Sequence, residues 1–268
     1  MSDAPITAAS VRQDLLAEQA DLDAIVAPLE PAKWELMTPS PGWSIRDQIG
    51  HLAYFDRAAA AAIVDVERFR AMRDDLVGHL ADPEGADAAT LAEARAMSSV
   101  DLLEHWRAGR RELADAAATL ADDTRIEWYG PSMGSKSFLT ARLMEAWAHG
   151  QDIADAIGVE RPATDRLRHI AQLGYITRSW TYVNRGLEVP EGEVRVELTA
   201  PSGTTWIWGP DDAGSTVRGS ALEFCLVTSQ RRNVADTDLE VRGDAARDWL
   251  EKAQLFAGPP SDPPSPRR

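Results

Sequence analysis

A chain of 268 residues with 43 acidic and only 28 basic side chains, a formal charge of −15, would repel a phosphate backbone rather than bind one. No apolar run approaches the roughly 20 residues that span a bilayer, and Met1-Ser2-Asp3-Ala4-Pro5 lacks the basic-then-apolar layout of a signal peptide. A single cysteine, Cys225, excludes an internal disulfide, so the expectation is a cytoplasmic protein that binds neither nucleic acid nor membrane.

Val11, Leu15, Leu22, Ile25, Val26 and Leu29 recur at helical spacing and predict an amphipathic helix over 8–28, stopped at Glu30-Pro31. Thr38-Pro39-Ser40-Pro41-Gly42 is turn chemistry. Ser44, with Asp47 three residues later, predicts a capped start to a long second helix through Ile45, Ile49, Leu52 and Phe55 to near Gly78. Residues 81–95, acidic and alanine-rich with Pro83 and Gly85, read as a mobile connection. A third helix begins near Ser99 and carries Leu102, Leu103, Trp106, Leu113 and Leu120. After a loop at 130–134, a fourth covers about 137–157 and closes at Gly158. Four helices with one long connection suggest a bundle.

A fifth helical pattern occupies about 164–184. Beyond Pro190 the period changes to two: Val194, Val196 and Leu198 alternate with charges, Pro201-Ser202-Gly203 turns, and Trp206-Ile207-Trp208 starts a return strand. A third strand at 216–218, a buried-looking helix at 222–229, a short strand Leu239-Glu240-Val241 and a final helix capped by Asp244 complete a small α+β domain. The expected organisation is a helical bundle over 1–162, a connecting helix with an α+β domain over 163–257, and a disordered tail over 258–268.

On the fourth helix, at about 100° per residue, Arg142, Glu145, His149 and Asp152 fall in one wedge opposite Leu139, Leu143, Trp147, Ile153 and Ile157. Polar groups on so apolar a helix need partners. Glu145, His149 and the distant His51 offer one carboxylate and two imidazoles, a set suited to Zn²⁺ or a similar divalent ion with a coordination position left free. The same residues equally allow an ordinary i,i+4 pair on a solvated face, worth a few tenths of a kcal/mol, and a His51 satisfied structurally. His79, His105 and His169 read as surface or flank residues. The segment 130–137 has the composition of a phosphate loop but the wrong spacing and no preceding strand. Cys225 sits in an apolar run, as a packed residue rather than a nucleophile. Trp206 and Trp208 share a strand face that suits a core or a pocket.

Pro41-Gly42-Trp43-Ser44-Ile45-Arg46-Asp47, running into Gly50-His51-Leu52, resembles the start of the second helix in DinB-like metal proteins. Arg142-Leu143-Met144-Glu145-Ala146-Trp147-Ala148-His149-Gly150-Gln151-Asp152 resembles the metal helix of the branch that includes mycothiol-dependent maleylpyruvate isomerase. Residues 224–232 and Ala257-Gly258-Pro259-Pro260 resemble the second domain of an actinobacterial subgroup of that branch. The resemblance spans nearly the whole chain. It implies a two-domain α+β protein, a DinB-like four-helix bundle followed by a small α+β domain resembling sterol carrier protein folds.

The resemblance further implies that His51, Glu145 and His149 hold a divalent metal, Zn²⁺ first with Ni²⁺ or Fe²⁺ as alternatives, and that a thiol such as mycothiol is cosubstrate. It implies an arginine from the second domain holding an anionic substrate, with Arg231 and Arg232 the nearest candidates; cations there also complement a helix C-terminus. Asp152, one turn beyond His149, either orients a ligand or is a surface acid. The expected activity is S-transfer or isomerisation of a small electrophile by a metal-activated thiolate. Hydrolysis by metal-bound water, or a non-catalytic metal-binding protein, stands as the alternative.

Overall fold

Helix α1 (Ala8–Val26) starts at Thr7, whose side chain accepts from the Ser10 amide while the Ser10 hydroxyl oxygen accepts from the Thr7 amide. A 3-10 turn at Pro31–Glu35 buries Trp34. Helix α2 (Ile45–Val64) begins with the expected box: the Ser44 amide donates to Asp47 Oδ2 (2.9 Å) and the Asp47 amide to Ser44 Oγ (3.3 Å). The computed structural model describes residues 5–79 and 85–267, which fall into two compact units divided between Glu160 and Arg161.

The long second helix expected to reach Gly78 is two helices. Asp65 leaves helical geometry (φ −145, ψ 75) and its carboxylate accepts from the Arg68 amide, opening α3 (Val66–His79) as an N-cap would. The expected mobile connection is corrected too. Residues 81–84 lie outside the described residues, but 85–96 form helix α4 (Gly85–Ala96), which buries Thr90, Leu91 and Ala94. Its alanines are the best helix formers, and they let it lie close on α2: a Cβ on Gly50 would come within 2.6 Å of Ala94 Cβ.

Ser98 caps α5 (Ser99–Ala117). A short antiparallel pair, β1 (Arg125–Ile126) with β2 (Met133–Gly134), leads into α6 (Ser135–Ile157), which ends at a left-handed Gly158 (φ 69). Helices α1, α2, α5 and α6 are the long members, with α2 packed on α5 and α6, and α1 on α6. Leu22, Val26, Trp34, Ile49, Leu52, Leu102, Trp106 and Ile153 lie in one core between them. Each such side chain contributes about 1.5–3 kcal/mol by leaving water.

In the second unit the helical pattern at 164–184 divides into α7 (Leu167–Ile176) and α8 (Arg178–Val183). The Thr177 hydroxyl between them donates back to the Leu173 carbonyl, which bends the chain. A mixed sheet follows, in the order β4-β3-β5-β6: β3 (Val194–Thr199) is antiparallel to β4 (Thr205–Trp208) and parallel to β5 (Ser215–Ser220), and β6 (Glu240–Arg242) runs antiparallel to β5. Helix α9 (Ala221–Thr228) is buried, and α10 (Asp244–Leu250) follows Gly243 (φ 82), so glycine rather than Asp244 holds the cap position.

The tail read from its composition as disordered has neither helix nor strand, yet hydrogen bonds tie it to the second unit. Gln254 Nε2 donates to the Pro259 carbonyl (3.1 Å), Gln230 Nε2 to that of Ser261 (2.8 Å), and Asn233 Nδ2 to that of Pro264 (2.8 Å). Gln230 adopts a left-handed backbone (φ 60) at this point. The carbonyls of Pro259, Ser261 and Pro264 are thus each met by a side-chain amide. No described helix is long and apolar enough to cross a membrane.

Candidate metal centre

His51 comes from the middle of α2; Glu145 and His149, one turn apart, come from α6. The crossing of these two helices brings both imidazoles onto one carboxylate oxygen. His51 Nε2 lies 3.2 Å and His149 Nε2 3.0 Å from Glu145 Oε2, and the potential ligand atoms of the three residues lie within 4.8 Å of one another. The side chains are 17, 9 and 23 % exposed for His51, His149 and Glu145, so the group is sheltered yet open to a small molecule.

A buried glutamine fixes the tautomer of His149. Thr38 Oγ1 donates to the Trp43 carbonyl (2.8 Å) and accepts from Gln48 Nε2 (2.8 Å). Gln48 Oε1 is thereby turned toward His149 Nδ1, with which it makes a short hydrogen bond. The amide has only an acceptor to offer there, so Nδ1 carries the hydrogen and Nε2 presents its lone pair to the cluster. This assignment follows from the hydrogen-bond network. Burial first, then the neighbouring His149, pushes the His51 pKa down to about 4, against the opposing pull of Glu145. Burial alone would raise Glu145, but its contacts with His149 and His51, which are hydrogen bonds whenever an imidazole Nε2 carries a proton, outweigh it and hold the carboxyl well below its usual range.

Lone pairs on a neutral imidazole and a carboxylate repel at 3.0 Å unless a positive species sits with them. A proton would satisfy one pair. A divalent cation would satisfy the two nitrogens and the carboxylate together, and nitrogen and oxygen donors in this ratio suit Zn²⁺. The residues therefore fit a metal.

The 38–43 loop walls the cluster. The Trp43 ring stacks on His149 (centroids 5.8 Å, 17°) and tilts against His51 (5.1 Å, 50°), while Phe55 lies on His51 (4.6 Å). The Trp43 indole N–H donates to Asp87 Oδ2 on α4 (2.9 Å). Asp152 is buried and is no surface acid: its Oδ2 accepts from Ser40 Oγ (3.0 Å), anchoring the same loop. Gln48 and Trp43 escaped the sequence reading as site residues. The available signal was a glutamine in an apolar stripe three residues before His51.

Arg142, one turn before Glu145, is spent on a buried ion pair. Its Nη2 donates to Asp56 Oδ1 (3.1 Å), and Asp56 Oδ2 accepts from Gln19 Nε2 (2.9 Å). Arg231 and Arg232 belong to the second unit, just after α9. There Arg231 Nη1 donates to the Ser229 carbonyl (2.6 Å) and Arg232 Nη1 to that of Arg231 (2.7 Å).

The remaining candidates resolve simply. Cys225 is fully buried, its thiol pushed up by burial, as expected of a packed residue. His169 is buried rather than at the surface. Segment 130–137 does follow a strand, the two-residue β1, but it turns directly into β2 and α6. Trp206 is buried and Trp208 stacks on Tyr175 (6.5 Å).

Fold and site together define a helical-bundle protein that gathers two imidazoles and a carboxylate from two helices, joined to a small α+β unit. Residues 15–154 match the family described as the mycothiol maleylpyruvate isomerase N-terminal domain, and the chain belongs to that family. The resemblance carried by residues 41–52 and 142–152 is thus borne out. Uncharacterized proteins from two strains of Mycobacterium tuberculosis are 47 % identical to it over 249 residues, 92 % of this chain and 95 % of theirs. A crystal structure of the mycothiol-dependent maleylpyruvate isomerase superposes with a TM-score of 0.57 over 91 % of this chain and 95 % of its own. A histidine-to-alanine mutant of that enzyme gives 0.56 over 85 % and 90 %. At 18 % identity both express a shared fold.

Proposed function

We propose that this protein is a metal-dependent enzyme of the thiol-dependent isomerase or S-transferase class, joining a mycothiol-type thiol to a small electrophilic substrate. The observation that carries the reading is the convergence of His51 and His149 on one Glu145 oxygen, with the His149 tautomer set by Gln48. His51, Glu145 and His149 would hold the ion, Zn²⁺ by preference, with Ni²⁺ and Fe²⁺ compatible with the same donors. When bound, a divalent cation supplies the positive charge that keeps a thiol, with a free pKa near 8.5, as its thiolate at neutral pH.

The chain's own residues do the rest. Gln48 Oε1 accepts a hydrogen bond from His149 Nδ1–H and so keeps Nε2 directed inward. Glu145 brings a negative charge that offsets part of the ion's. Trp43 and Phe55 flank the imidazoles and exclude water from their faces. Asp152 acts by holding Ser40, hence the loop that carries Trp43. Arg231 and Arg232 are proposed to hold an anionic group of the substrate, since a guanidinium grips a carboxylate with two parallel hydrogen bonds. The second unit is proposed to share a sterol-carrier-like fold, which the resemblance at 224–232 supports, and the protein to act in the cytoplasm.

The test is elemental analysis of protein purified without a chelating tag, beside the His149→Ala variant. Turnover of maleylpyruvate and of a small alkylating electrophile is then followed with and without mycothiol. The expected result is about one divalent ion per chain, lost in the variant, and turnover that requires both ion and thiol. Wild-type protein that stays metal-free after incubation with Zn²⁺, Ni²⁺ and Fe²⁺ sinks the proposal. Turnover that needs the ion but no thiol replaces it with hydrolysis.

A further inference from the structure

Residues 81–95 read from the sequence as a mobile connection, yet α4 reaches the cluster through one hydrogen bond. Asp87, in the first turn of α4, accepts the indole N–H of Trp43, whose ring lies against both imidazoles. We infer that Trp43 and Asp87 form a cover over the two-histidine centre, and that Trp43 is a positioning residue that orients both imidazoles and limits exchange of whatever they hold. The inference deepens the proposed function and rests on its metal reading.

Three further features support it. The loop that carries Trp43 is pinned at Thr38 by Gln48 of α2 and at Ser40 by Asp152 of α6, and the indole itself is held from a third helix, α4. Helix α4 is itself fixed near its far end, where Arg95 Nε donates to Asp47 Oδ1 (2.7 Å) and Ala94 meets Gly50 without an intervening side chain. Asp87 is thus presented from a braced element. Lastly, an imidazole bound to a cation carries more positive charge than a free one, and an indole face attracts it. Stacking at 5.8 Å on His149 therefore favours the loaded state.

The experiment loads the full-length protein with Co²⁺ or Zn²⁺ and follows release to a chromogenic chelator. Trp43→Leu should release the ion about tenfold faster, a factor in keeping with one aromatic contact to a charged group. Asp87→Ala should release it severalfold faster, whereas Asp87→Asn, which keeps a side-chain oxygen for the indole N–H, should stay near wild type. In the Trp43→Leu background Asp87→Ala should add nothing to release, because Asp87 reaches the centre only through the indole, its other neighbour Arg95 (4.0 Å) lying on α4 itself. Tryptophan emission gives a second reading: Ni²⁺ should quench wild type more than Trp43→Phe, although eight other tryptophans remain in that variant. A merely structural role for Asp87 predicts no rescue by asparagine. Release at the wild-type rate from loaded Asp87→Ala and Trp43→Leu overturns the cover and leaves the metal reading intact. Wild-type protein that loads no ion overturns both.

Discussion

The Arg142–Asp56 pair lies one turn below the candidate centre and permits a quantitative test. Arg142 and Asp56 are 4 and 1 % exposed, and Asp56 accepts from both Arg142 and Gln19. Arg142→Met would leave a buried carboxylate without its paired cation. Breaking such a pair from one side destabilises by about 3–5 kcal/mol. At about 2–4 °C per kcal/mol for a unit of this size, the melting temperature should fall by about 6–20 °C. Protonation sets a ceiling on the loss. Asp56 already titrates above the usual carboxylate range because burial outweighs the attraction of Arg142. A folded-state pKa above the unfolded one means stability that is present at low pH and lost as pH rises through the folded value. The variant should therefore lie closer to wild type at pH 5 than at pH 7. Calorimetry should track the transition that the substitution moves, since the two units need not melt together. The double variant Asp56→Leu with Arg142→Met removes both charges and should recover most of the loss. A single variant within about 1 kcal/mol of wild type, or a double variant worse than the single, would refute the reasoning.

Further outcomes follow from other contacts. Gly50→Ala should cost about 1–3 kcal/mol by urea denaturation, because its methyl would sit 2.6 Å from Ala94 Cβ and α4 would have to move off α2. Gln48→Leu leaves the His149 Nδ1 hydrogen without its acceptor and should weaken metal affinity about 10–100-fold by competition with a chelator, with the fold retained. Arg107, then Arg110, holds Asp23 below the usual carboxylate range, so its contribution is complete above the unfolded value near 3.9 and disappears as pH falls through the folded one. Asp23→Asn should thus be less stable than wild type at pH 7 and converge on it as the pH falls through the folded-state value, by thermal melts over the acid range.

The sequence displayed the parts of this fold that depend on local chemistry. The Ser44–Asp47 box and the left-handed Gly158 are each decided by a few adjacent residues. The alternation of Val194, Val196 and Leu198 predicted the central strand for the same reason. His51, Glu145 and His149 were legible as a set through their donor chemistry and through resemblance, but their meeting on one oxygen required the crossing of α2 and α6. What escaped depends on pairing across the chain. Asp65 looked like one more polar residue in a long helix until its carboxylate capped α3. Residues 85–96 looked like linker because small side chains give a weak hydrophobic period, although small size is what lets α4 lie on Gly50. Gln48 and Trp43 gain their roles from His149, about a hundred residues away.

The clasp on Ser261 bears on how the chain is made. Arg185, Gln230 and Gln254 all converge on that one residue, by way of its carbonyl, hydroxyl or amide. During synthesis, the segments just after α8, α9 and α10 leave the ribosome with these side chains still waiting for the residue that will satisfy them. The first unit is different: its core is complete once α6 has emerged. Folding during translation would then proceed in two stages, with the bundle closed while the second unit remains dependent on the irregular segment around Ser261. A ribosome stalled shortly before Ser261 should display a finished bundle beside an unfinished neighbour.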